Sequence, residues 1–175
     1  MTAALRTGVW PAAVLSLAML TAIPAAADDR CHLLELPQLP VLEGCRQVAP
    51  GKLQISKAAL ARLEFDADGI AAVYVIGQHY YLRRDGSQLP VISYDNGPDY
   101  FSEGLTRAVV GGKLGYYDIH LQPAFKARFD WGWPFENGVA EVCDGCHLGP
   151  PDSDGHTSLI GGERYRIDRN GQRLP

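Results

Sequence analysis

Three stretches of this chain can be laid over one another at nearly constant spacing, and that periodicity constrains the fold more than any other feature of the sequence. They begin at Gly69, Gly104 and Gly138, 35 and then 34 residues apart. In the first, Gly69-Ile70-Ala71-Ala72-Val73 leads to Tyr80-Tyr81-Leu82-Arg83-Arg84-Asp85-Gly86. In the second, Gly104-Leu105-Thr106-Arg107-Ala108-Val109 leads to Gly111-Gly112-Lys113-Leu114-Gly115-Tyr116-Tyr117-Asp118. The third starts as Gly138-Val139-Ala140-Glu141-Val142 and resumes only at Gly161-Gly162-Glu163-Arg164-Tyr165-Arg166-Ile167-Asp168. A self-similar segment at a fixed period is the sign of a repeat architecture, in which each unit buries its apolar face against its neighbours. Each unit reads as short strands around glycine turns, with Asp85-Gly86 and Asn170-Gly171 as hairpin signals. The expected fold class is mainly β, antiparallel β-hairpin repeats with one short N-terminal helix. Ser56 is placed as that helix's N-cap, and Ala58, Ala59, Leu60 and Leu63 form its apolar side before it ends near Phe65.

The residues of the middle unit resemble the WG-repeat family of bacterial proteins. Gly112-Lys113-Leu114-Gly115-Tyr116-Tyr117-Asp118 looks like that family's Gly-Lys-Trp-Gly-Tyr-Ile-Asp core. Phe129-Asp130 followed by Pro134-Phe135-Glu136-Asn137-Gly138-Val139-Ala140 looks like its link to the next unit, and Phe101-Ser102-Glu103-Gly104-Leu105 repeats that link one unit earlier. The resemblance covers residues 65–175 as three WG-like units. Leu114 replaces the usual Trp, and Tyr80 and Tyr165 are aligned with it in the outer units. What the resemblance implies is a β-rich repeat module, common in exported and surface-associated proteins, with no general enzymatic activity established.

Residues 28–64 lie outside that pattern, and residues 1–27 read as a signal peptide. Arg6 supplies a positive start, the run from Val9 to Ile23 is apolar, and Ala25-Ala26-Ala27 offers small residues before Asp28 and Asp29. The apolar run is shorter than the roughly 20 residues of a spanning helix and contains Pro11, so cleavage after Ala27 is expected rather than retention as an anchor. No later segment is apolar for long enough to span a bilayer as a helix. The expected location is the periplasm or outside the cell. Arg6 is the one charge in the leader, so the remainder carries 15 Lys and Arg against 20 Asp and Glu. That acidic balance argues against nucleic acid as a partner, because phosphate neutralisation needs a basic face.

Four cysteines follow the leader: Cys31, Cys45, Cys143 and Cys146. An even number in an exported chain points to disulfides. Proximity favours Cys31 with Cys45, around the Pro-rich Leu36-Pro37-Gln38-Leu39-Pro40, and Cys143 with Cys146. A crossed arrangement tying the two ends of the chain together is the alternative. Residues 143–160 interrupt the third unit and read as an inserted loop rich in Gly, Pro and Asp. The loop opens with Cys143-Asp144-Gly145-Cys146-His147, the spacing that attaches c-type haem. Against haem, both methionines, Met1 and Met19, fall in the leader, and the motif follows a strand. Zinc is a second alternative, with Cys143, Cys146, His147 and His156 as candidate ligands, although a strong pattern would need another Cys-x-x-Cys. Thiol-disulfide exchange is a third. Glu141, Asp144, Asp152 and Asp154 would raise rather than lower a thiol pKa, and Gly149-Pro150-Pro151 forbids a following helix. A structural disulfide that pins the loop is the preferred reading, with no cofactor.

Among the aromatic residues Tyr94, Phe101, Phe125, Phe129, Trp131, Trp133 and Phe135, those at corresponding places in successive units are read as shared core. Trp131 and Trp133 flank Gly132 in a turn-like stretch and are kept as binding candidates. No catalytic residues are assigned: there is no Gly-x-Ser-x-Gly elbow, and Gly111-Gly112 and Gly161-Gly162 read as β-turns rather than a phosphate loop. Asp66-Ala67-Asp68-Gly69 reads as a turn after the helix, because a calcium loop would need a later acidic ligand. The function expected is a non-catalytic protein-binding module of the bacterial cell envelope, its partner an envelope protein or ligand not identified by the sequence. The alternative is a metal or thiol-redox protein built on Cys143, Cys146 and His147.

Overall fold

In a computed structural model of the chain, residues 28–35, 37–154 and 156–175 are described; the expected leader, residues 1–27, lies outside them. The fold is mainly β. In chain order the elements are β1 (Arg30–Leu33), β2 (Val41–Ala49), β3 (Lys52–Ile55), α1 (Lys57–Ala61), β4 (Ile70–Val75), β5 (Gln78–Arg83), β6 (Gln88–Val91), β7 (Ser93–Tyr94), β8 (Gly97–Pro98), β9 (Leu105–Val110), β10 (Lys113–Asp118), β11 (Trp131–Gly132), β12 (Val139–Pro151) and β13 (Thr157–Asp168). Eight of the strands form one antiparallel sheet in the order β10-β9-β6-β5-β4-β1-β2-β3, curled as a half-barrel. β11-β12-β13 form a second sheet, and β7-β8 a small hairpin. Among the described residues no helix is long and apolar enough to cross a membrane.

Three hairpins carry the glycine starts. They are β4–β5, from Ile70↔Arg83 to Val75↔Gln78; β9–β10, from Leu105↔Asp118 to Val110↔Lys113; and β12–β13, which begins at Val139↔Asp168. The first two close through two-residue turns, Ile76-Gly77 and Gly111-Gly112, with both residues at positive φ. That left-handed geometry matches the twist of the flanking strands. Glu103-Gly104 and Asn137-Gly138, just before β9 and β12, also have both residues at positive φ. Counted back from Arg83, Asp118 and Asp168, the residue matching Leu114 is His79 in the first hairpin and Arg164 in the third. Tyr80 and Tyr165 instead match Gly115. The alignment of Tyr80 and Tyr165 with Leu114 is therefore off by one residue, because it rests on aromatic character and not on the turn that fixes register.

One turn recurs four times. At Asp66, Asp118, Asp152 and Asp168 the residue's N–H donates to the carbonyl four positions on. Its Oδ1 accepts from the N–H groups two and four positions on. The side chain thus satisfies backbone donors that the bend takes out of the ladder. At Asp66 this leaves an ordinary turn between α1 and β4. α1 itself is capped by Ser56, whose Oγ accepts from the Ala59 N–H at 3.0 Å, and it closes at Ala61 when Arg62 turns its N–H back to the Ala59 carbonyl.

Residues 28–64 are continuous with the main sheet. β1 pairs with β4 through His32↔Tyr74, and β2 and β3 extend the sheet from there. Both expected disulfides are present, Cys31–Cys45 and Cys143–Cys146. The sheet is packed on both faces, so β5 is buried at four consecutive residues from His79 to Leu82. Alternation sends Tyr80 and Leu82 into one cluster with Leu42, Cys45, Leu53, Val73 and Val75. Tyr81 goes into another with Ile70, Val91, Ala108 and Tyr117. A third cluster joins the two sheets through Leu105, Leu114, Tyr116, Phe129, Phe135, Val142 and Ile167. Phe129 and Phe135 are thus core, while Phe101 and Phe125 pack partly buried against the clusters.

Residues 143–160, expected to be a loop, belong instead to the longest hairpin in the fold. Asp144↔Glu163 sits where Val110↔Lys113 closes the middle hairpin, but here the ladder runs on through Cys146↔Gly161, His147↔Ile160 and Leu148↔Leu159. Gly145, Gly161 and Gly162 all have positive φ. A Cβ on Gly162 would lie 2.5 Å from the Asp144 carbonyl oxygen, so glycine is required at that crossing. Gly161-Gly162 is thus part of a strand, not a turn. Only the Asp152 bend at the tip fits the loop expectation.

Candidate functional site

The Cys-x-x-Cys-His motif lies where the β12–β13 arm leaves the body. Cys143 is fully buried and paired across the ladder with both Trp131 and Arg164. The Cys143 and Cys146 Cα atoms are 5.9 Å apart, closer than a flat strand allows for residues so spaced, because the chain bends at left-handed Gly145. Asp130 fixes the bend: its Oδ2 accepts from the Gly145 N–H at 2.6 Å, and its Oδ1 pairs with Lys113 at 2.5 Å. Those two donors, Lys113 first, hold its carboxyl below the usual carboxylate range. With both sulfurs in the disulfide, neither is a thiolate for metal or a nucleophile in this oxidised form.

Both candidate histidines are exposed. His147 is exposed opposite Ile160. His156 lies at the arm's tip, where it, Asp152 and Asp154 bring ligand atoms within 4.8 Å of one another, all exposed. The Asp152 Oδ1 is already the acceptor of the tip turn. Zinc on Cys143 and Cys146, or haem on the same thiols, would require the disulfide to be reduced first.

Trp131 and Trp133 are held far more firmly than a turn would hold them. β11 pairs with β12 through Trp131↔Cys143 and Gly132↔Val142, and the Trp133 N–H continues the ladder to the Glu141 carbonyl. Alternation puts the two indoles on one face, edge to face with centroids 6.3 Å apart, and turns Gly132 the other way. There a Cβ would meet the Tyr116 Oη at 2.5 Å. The Tyr116 hydroxyl donates to the Trp133 carbonyl at 2.7 Å, and Arg107 Nη1 donates to the Gly132 carbonyl at 2.9 Å.

Trp133 then forms one wall of a groove of about 410 Å³, with Tyr94, Tyr100, Pro134, Glu136, Val139 and Glu141. Tyr94 ends β7 and Tyr100 follows β8, and the two rings stand edge to face, centroids 5.6 Å apart, each close to half exposed. Asp99 and Arg107 are buried and joined by Nη2 to Oδ1 at 2.5 Å and Nε to Oδ2 at 3.0 Å, while the Arg107 backbone N–H also donates to Oδ2. The Tyr81 hydroxyl donates to the Asp99 carbonyl, and its pKa is pushed up to about 12 by burial and then by the Asp99 charge. The Arg107 guanidinium lies 5.1 Å from the Tyr94 ring centre, which ties Tyr94 to that pair. A larger depression of about 690 Å³, bordered by Gln88, Val109 and Tyr117, has no charged side chain in its lining.

Sequence reasoning named Tyr94, Trp131 and Trp133, but not Tyr100, Pro134 and Glu136 as their partners, nor Asp99–Arg107 as the support. A charged residue amid the apolar run Leu105–Val110 was the available signal for Arg107, since an arginine there must find a carboxylate. Compared with known proteins, the chain matches no family model, no curated protein and no solved structure.

Proposed function

We propose that this chain is a non-catalytic binding module of the bacterial cell envelope, exported and built from three WG-like units. The observation that carries the reading is the aromatic groove at Trp133: three partly exposed rings on segments braced by the buried Asp99–Arg107 pair. Aromatic side chains in that setting offer contact area at small entropic cost, which is what recognition surfaces use. The β12–β13 arm is the second contact surface. Leu148 and Ile160 are exposed on it, and none of the core clusters includes a residue from 147–160. Support for the repeat reading comes from the hairpins' shared strand pairing and from the turns that Asp118 and Asp168 make at matching places after the second and third hairpins. The two disulfides agree with an oxidising, periplasmic or secreted location.

The test is affinity capture from envelope extract with three forms of the protein: unaltered, Trp131→Ala/Trp133→Ala, and lacking residues 147–160. A partner held by the unaltered form and lost from both variants, with circular dichroism unchanged, is the expected result. Retention by both variants would sink the placement of the contacts. The metal or redox alternative is decided by intact mass with and without reduction. Alkylation of Cys143 and Cys146 before reduction would favour it.

A further inference from the structure

If the groove is the binding surface of an interaction module, its chemistry also narrows the class of partner. Two of its aromatic walls, Tyr94 and Tyr100, are steeply crossed rather than coplanar, at 71°. A sugar ring stacks best on an open, flat face, but the Trp133 and Tyr94 rings each have a guanidinium over a face, Arg164 at 5.4 Å and Arg107 at 5.1 Å. Crossed rings form a notch instead, and a pyrrolidine ring is the compact apolar group that enters such a notch without an ordering penalty, because proline is already restrained. Aromatic-lined grooves that read polyproline II segments work in this way.

Charge completes the specification. Glu136 and Glu141 line the groove beside the rings. Among the described residues Glu136 joins no ion pair, and the nearest cation to Glu141 is Arg164 at 4.0 Å, both of them about half exposed. Arg107, which donates to the Gly132 carbonyl next to Trp133, is neutralised by Asp99. The groove's charged lining is therefore acidic, Glu136 and Glu141 with no basic residue, which complements a cationic side chain.

We propose that the groove of Tyr94, Tyr100, Trp133, Pro134, Glu136 and Glu141 binds a basic, proline-rich peptide segment as a polyproline II helix, a proposal that rests on the binding-module function. Prolines seat between the rings, and an Arg or Lys side chain reaches the two carboxylates. The chain's own Pro37-Gln38-Leu39-Pro40 has the spacing but is flanked by Glu35 and Glu43, so the charge points to a segment of another protein.

The experiment is fluorescence anisotropy of a short labelled synthetic peptide, two arginines followed by a proline-rich run, titrated with the full exported chain. Controls are the same peptide with glutamates for the arginines, and soluble glucan and chitin oligosaccharides. Saturable binding is expected for the arginine peptide alone, weakened about tenfold or more by Trp133→Ala. Glu136→Gln/Glu141→Gln should weaken it similarly and flatten its salt dependence. Tyr100→Ala, at an exposed position, gives the same reading should Trp133→Ala fail to fold. Equal affinity for the glutamate peptide, indifference to these substitutions, binding of an oligosaccharide instead, or no binding at all overturns the proposal. Envelope capture that still depends on Trp133 while the peptide fails to bind would overturn the peptide class alone. Capture that fails in every form would overturn the module reading itself.

Discussion

Asp99 and Arg107 are each about 1% exposed, and the Asp99 carboxylate accepts from the Arg107 Nε, Nη2 and backbone N–H. Truncating one partner leaves a buried charge without its counter-ion, so Asp99→Ala is expected to lose about 3–5 kcal/mol in urea unfolding. A loss under about 1 kcal/mol would mean that water reaches Arg107. Ile76 makes the opposite case. It is a β-branched residue at φ 47° on an exposed turn, where Asn is tolerated better, so Ile76→Asn should raise stability by about 1 kcal/mol. His79 supplies a pH dependence. Burial lowers its pKa from the ordinary 6.5, so the neutral ring is the native form, donating to or accepting from Ser93 Oγ. As pH falls, the unfolded chain takes up the proton first. Its contribution is thus complete above 6.5 and is lost as pH falls through that value towards the native pKa. His79→Gln should shrink the drop in melting temperature between about pH 7.5 and 5.5. An unchanged drop would place the titration elsewhere. Neither the Asp99 pairing nor the His79 burial is legible in the sequence, since both depend on which strands become neighbours across the sheet.

Turns were the most legible elements, because their chemistry is local. Asp85-Gly86 does close β5 onto β6, and Gly111-Gly112 does close β9 onto β10. Residues 143–160 misled for the same reason: Gly145, Gly149, Pro150, Pro151 and Gly161-Gly162 are loop-forming residues by composition. What makes the segment a strand is the opposite strand, through Cys146↔Gly161 and Leu148↔Leu159, and no local rule contains that pairing. The disulfides were legible by proximity, and they differ in what they restrain. Cys31–Cys45 spans a sequence separation of 14 and lies in the core, whereas Cys143–Cys146 spans 3. On the chain-entropy relation the first contributes about 3 kcal/mol and the second about 2 kcal/mol. Cys31→Ala/Cys45→Ala should therefore lower the urea midpoint more than Cys143→Ala/Cys146→Ala, and the reverse order would show that the arm's bend carries more of the stability than its loop length implies.

At the scale of the molecule there are three apolar clusters in place of one centre, each built between neighbouring hairpins. Stability in such an arrangement is a sum of local interfaces, so a part that enters no interface can be removed without loss of the rest. The arm is such a part. Asp144 and Glu163 face each other as Val110 and Lys113 do, and the middle hairpin spans that gap with two residues. Replacing residues 145–162 with Asn-Gly, a sequence suited to two left-handed residues, should therefore leave a closed hairpin. Cys143, then unpaired, becomes Val, the residue at the matching place, Val109. The shortened protein should keep its circular dichroism and a single cooperative unfolding transition. It should lose no more than the roughly 2 kcal/mol of the removed disulfide. An unfolded product would place the arm inside the folding unit. By contrast, ending the chain before Val139 would remove Ala140, Val142 and Ile167 from the cluster that covers Leu105, Leu114 and Tyr116 and should leave an aggregating protein.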